Sequence, residues 1–110
     1  MSFPKCFAII GPLHNVKPSL SPDYFQELRA QSQRHLIAFL EAEIALGSTF
    51  ADAAAYQRDL GQAEHSRHSK EEAGKAVASI QHFLDRIASP EIRSALADRC
   101  AQLERTVTAI

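Results

Sequence analysis

Residues 21–60 read SPDYFQELRAQSQRHLIAFLEAEIALGSTFADAAAYQRDL, and this stretch decides the fold. Phe25, Leu28, Ser32, His35 and Leu36, Phe39, Glu43, Leu46, Phe50, Ala53 and Ala54, Gln57 and Leu60 follow alternating steps of three and four residues. That is the seven-residue spacing of coiled-coil-like helix packing. Polar residues interrupt the stripe without shifting its phase. Ser21 before Pro22 and Asp23 starts the helix, because the hydroxyl can accept from an unpaired amide and Pro presets φ at the first helical position. Gly61, after Asp59 and Leu60, stops it.

Gly47, Ser48 and Thr49 offer a competing stop and restart, since Thr49 and Asp52 have capping-box spacing. Phe39, Leu46 and Phe50 nevertheless stay in register across Gly47, and a mid-helix Gly costs only about 1 kcal/mol. One unbroken helix over 22–60 is expected.

The same logic extends towards the C-terminus. Ala73, Ala76, Val77, Ile80, Phe83, Leu84 and Ile87 give a second helix over 62–88. Ser89, Pro90 and Glu91 repeat the start signal for a third over 90–109, with Ile92, Leu96, Cys100 or Arg99, Leu103, Val107 and Ile110 keeping its apolar period. Short turns predict an all-α, antiparallel three-helix up-down bundle with a long first helix. Residues 1–21 contain Pro4, Gly11, Pro12 and Pro18 and no helical period, so they predict an irregular N-terminal arm. Residues 22–110 then form a single helical-bundle domain, since 110 residues suffice for one core and not two.

Composition narrows the function classes. The net charge is −1, with no basic patch to suggest a nucleic-acid partner. The apolar stretch from Cys6 to Leu13 is too short for a signal sequence and is broken by Gly11 and Pro12. No stretch approaches the roughly 20 apolar residues of a membrane span. Cys6 and Cys100 lie in dissimilar contexts and are expected as reduced thiols. The protein reads as cytoplasmic, with no membrane partner.

The densest polar cluster is Glu64, His65, His68, Glu71 and Glu72. His65, His68 and Glu72, or Glu64, His68 and Glu71, share a helix face, with His65, His68 and Glu72 the metal-ligand candidates, but a di-iron bundle needs Glu-x-x-His motifs on two helices and a zinc protease needs His four apart around a Glu. Neither pattern is present, so no metal, no cofactor and no catalytic residue is assigned. Arg29 and His35, and Arg58 and His65, have a spacing that resembles the Arg-x(4–6)-His element of HEPN nucleases. The resemblance covers two residues each time, and Ala30 and Asp59 stand where those proteins carry a polar residue such as Asn. Ala54, Gly61 and Ala73 are similar in placement to the small residues of a tetratricopeptide hairpin. The usual aromatic positions are absent, Ser66 replaces a small apolar residue, and one repeat cannot bury its face.

Helix lengths carry the remaining expectation. At about 1.5 Å per residue the first helix approaches 60 Å and the second about 40 Å, so roughly three turns at the start of the first overhang. Tyr24, Phe25 and Leu28 lie there and need cover, from the arm or from another chain. The sequence therefore predicts a non-enzymatic protein–protein interaction module that forms a homodimer or docks on another helical protein. The alternative is a small helical-bundle enzyme or metal-binding protein centred on His65 and His68.

Overall fold

A computed structural model describes residues 22–110. The expected arm over 1–21, the Ser21 cap and the Cys6 thiol lie outside the described residues. Three helices follow in order: α1 over Pro22–Asp59, α2 over Ala63–Leu84 and α3 over Pro90–Ala109. Among the described residues there is no strand. His35–Ile110 form one compact unit, and the α1 residues before His35 belong to a separate one.

α1 runs through Gly47 without a break, as the phase of its apolar residues requires. It stops where Gly61 takes φ +78°, a conformation that costs a Cβ-bearing residue and that Gly adopts freely. The Gly61 amide donates to the Arg58 carbonyl at 3.0 Å and the Gln62 amide to the Gln57 carbonyl at 2.8 Å. This is the Schellman pairing, which satisfies carbonyls left over at a helix end. Two buried serines fasten the turn: Ser66 Oγ donates to the Ala54 carbonyl at 2.8 Å, and Ser69 Oγ lies 2.8 Å from the Gln57 amide. Turned with its nitrogen towards α2, that amide donates to Ser69 Oγ and to the His65 carbonyl, each at 2.8 Å. Ser66, which stands where a tetratricopeptide hairpin has an apolar residue, is thus buried with its hydroxyl satisfied.

α2 ends at Leu84, four residues short of the expected Ala88. A helix to Ala88 leaves a single residue before Pro90, too little chain to join two packed helices, which usually takes two to eight residues. The amides of Arg86 and Ile87 instead bond three residues back, to Phe83 and Leu84 at 3.0 and 3.1 Å. Pro90 then holds Ser89 extended at φ −76°, ψ 120°, because the ring disfavours an α conformation in the preceding residue. Ser89 Oγ accepts from the Ile92 amide at 3.3 Å and starts α3 as expected. Ile87, expected on the α2 face, reaches the core from the link, and the Arg93 guanidinium donates to its carbonyl at 2.7 Å.

The core of the compact unit joins Leu40, Ile44 and Ala51 of α1 to Ala73, Val77 and Ile80 of α2, Ile87 of the link, and Leu96, Cys100 and Leu103 of α3. This revises the sequence reading of α1. Of the expected inward stripe, Ala54 is buried and Leu36 and Phe50 pack partly buried against the core, but Phe39, Leu46 and Leu60 are exposed. The buried line is Leu40, Ile44, Gly47, Ala51 and Ala54, one residue on from Phe39 and so rotated by about 100°. Gly47 explains the choice. A Cβ there would lie 2.6 Å from Leu103 Cδ2 and 3.1 Å from Ala76 Cβ, so the three helices come together where α1 has no side chain. A side chain at position 47 would hold the helices apart there.

Candidate functional site

Two regions were candidates from sequence, the His65/His68 cluster on α2 and the Tyr24/Phe25/Leu28 end of α1. On α2, both His65 and His68 are exposed, and the neighbouring carboxylates are engaged with bases of the same helix. Arg67 Nη2 lies 2.6 Å from Glu64 Oε1 and Nη1 lies 2.8 Å from Glu71 Oε2, while Lys75 Nζ lies 3.0 Å from Glu72 Oε2. The hydrogen bond from Arg67 and then its charge hold the Glu64 carboxyl below its ordinary value, and the same contacts raise the Arg67 pKa. Because spacings of three and four place these groups on one helix surface, the cluster is knitted by its own arginine. Among the described residues, no three His, Cys, Asp or Glu side chains come together in a metal-binding arrangement. Arg67 is visible in the sequence between the two histidines, but its pairing with Glu64 and Glu71 was not read from the spacing.

The Arg58/His65 pair is equally unremarkable, with Arg58 Nε 3.5 Å from the adjacent Asp59. Cys100 is buried, with its Sγ 4.0 Å from the Val77 carbonyl. Burial, and secondarily the Glu104 charge, pushes its thiol pKa up, which is the opposite of what a nucleophilic thiolate requires. An open cleft of about 350 Å³ runs between α1 and α3, lined by Ile44, Ser48, Ala51, Asp52, Arg99, Gln102, Leu103 and Thr106. Asp52 and the hydroxyls of Ser48 and Thr106 line it together, and the Thr106 hydroxyl donates back to the Gln102 carbonyl of its own helix at 3.0 Å.

At the start of α1, Tyr24, Phe25 and Leu28 are 42, 41 and 40% exposed. The Tyr24 and Phe25 rings meet edge to face at 5.9 Å. Within the compact unit the outward side of α1 presents Phe39 and Leu46, the latter 47% exposed, followed by Tyr56 and Leu60. Phe39 rests its ring against Phe83 of α2 at 5.7 Å. The sequence reading placed Phe39 and Leu46 in the core and so missed them as surface. The available signal was the pair of apolar lines one residue apart, one rich in Gly and Ala and the other in Phe and Leu.

No helix among the described residues is long and apolar enough to cross a membrane. Comparison with family models, with curated proteins and with solved structures gives no match.

Proposed function

We propose that this protein is a non-enzymatic helical interaction module that self-associates through α1, with Tyr24, Phe25 and Leu28 in the contact. The supporting observation is the exposure of these three large apolar side chains on one helix end. Leaving such residues in water forgoes about 25 cal/mol for each Å² of apolar surface, and contiguous apolar surface of this kind marks interaction sites. A second copy is the favoured partner because the same line of seven-residue spacing is self-complementary, as it is in helical homodimers. The enzyme or metal-binding alternative has no comparable support, since His65 and His68 are exposed on a single helix whose acids are held by Arg67 and Lys75.

Sedimentation equilibrium of the full chain from low to high micromolar concentration tests this reading. A dimer is expected, and Phe25→Glu with Leu28→Glu should return it to monomer with the helical circular dichroism retained. The loss should be about 2 kcal/mol per side chain removed from a buried contact. An unmodified protein that stays monomeric at high micromolar concentration overturns the proposal.

A further inference from the structure

The cleft between α1 and α3 has two walls of opposite chemistry. The α1 wall carries the Asp52 carboxylate and the Ser48 hydroxyl, and the α3 wall carries the Arg99 guanidinium and the Gln102 amide. Arg105 Nη2 donates to Gln102 Oε1 at 2.7 Å, which engages the acceptor end of that amide and leaves its NH2 to donate. Between the walls lie Ile44, Ala51 and Leu103, all buried members of the core. The opening of about 350 Å³ is of the size of small-molecule sites.

Neither charge is neutralised by a neighbour. The ion pairs among the described residues join Arg58 to Asp59, Arg67 to Glu64 and Glu71, and Lys75 to Glu72. Asp52 and Arg99 take part in none of them, so an anion and a cation line one cleft without meeting. Both are exposed, and water screens the attraction that crosses the gap.

We propose that this cleft binds a free α-amino acid with a large apolar side chain. Its ammonium group sits on Asp52, its carboxylate on Arg99 and its side chain on Ile44, Ala51 and Leu103. Such a ligand carries both charges beside one apolar group. A purely anionic ligand would meet the Asp52 carboxylate uncompensated, a purely cationic one the Arg99 guanidinium, and a purely apolar one would desolvate both without return. The guanidinium fork matches a carboxylate with two parallel hydrogen bonds. An ammonium group has three donors, enough for Asp52 and for the hydroxyl oxygens of Ser48 and Thr106. Because the Thr106 hydroxyl donates to the Gln102 carbonyl at 3.0 Å, its oxygen meets a ligand as an acceptor. The cleft lies wholly within the compact unit His35–Ile110, so the proposal stands apart from self-association through Tyr24, Phe25 and Leu28.

An NMR titration of the isotope-labelled full chain with L-leucine tests this. A dissociation constant of about 1 mM is expected, since each exposed charge contributes little, and the amides that shift should be those of Ser48, Asp52, Arg99 and Gln102. Asp52→Asn and Arg99→Gln should each weaken leucine binding about threefold to fivefold, with thermal unfolding unchanged. Leucinamide and N-acetyl-leucine, which each lack one of the two charges and imitate the two ends of a peptide, should bind the parent protein more weakly than leucine. Glycine keeps both charges and lacks the side chain, and should bind about tenfold more weakly. The proposal is overturned if leucine gives no saturable shifts at the cleft by about 20 mM, if its binding ignores both substitutions, or if glycine or either capped form binds as well as leucine.

Discussion

One helix carries two apolar lines that differ in burial. Leu40, Ile44, Gly47, Ala51 and Ala54 are buried, while Phe39 and Leu46, each beside a member of that line, are exposed. The exposed line has the larger side chains. Hydrophobicity alone would put it inside, and the difference teaches that close approach outranks side-chain size in this small bundle. With Gly47 facing Leu103 and Ala76, α1 packs against both partners at once, and many small contacts replace a few large ones. Bulky residues are displaced to the outside, where they become available for association.

The comparison predicts unequal responses to similar substitutions. Leu40 is fully buried, so Leu40→Ala should cost about 2–5 kcal/mol, measured by urea unfolding at a concentration below that of any dimer. A cost under about 1 kcal/mol would mean that the inward line is misassigned.

Gly47→Val should cost about 1–3 kcal/mol from overpacking. The new Cβ falls 2.6 Å from Leu103 Cδ2, and although the end of a leucine can move, the Ala76 Cβ at 3.1 Å belongs to a short side chain fixed to α2. Gly47→Val combined with Leu103→Ala should recover part of the loss, and a failure to recover any would point away from this contact.

The smallest effect is expected on the outward line. Leu46→Ala should change monomer stability by no more than about 0.5 kcal/mol. If Leu46→Ala and Leu40→Ala destabilise the monomer equally, the contrast between the two lines does not hold.

The polar clusters were legible in the sequence to a different degree. The starts at Ser89 and Pro90 and the stop at Gly61 were readable because each depends on local chemistry, a hydroxyl accepting an amide or a positive φ. The α2 acids and histidines were visible as a group, but Arg67 bridging Glu64 and Glu71 was overlooked although its spacing was there to read. Ser66 looked like a departure from a helical hairpin, and its bond to the Ala54 carbonyl depends on a partner twelve residues away.

The sequence by itself determined three helices, the continuity of α1 through Gly47, the stop at Gly61 and the start of α3 at Ser89 and Pro90. Capping, backbone conformation and apolar periodicity act within a few residues, so a linear reading captures them. The tertiary structure decided which line of α1 faces inward, where α2 ends, and that Ile87 enters the core from a link. Those outcomes depend on distances between elements: Gly47 has meaning only once Leu103 and Ala76 stand beside it, and the end of α2 only once α3 must be reached with the chain that remains.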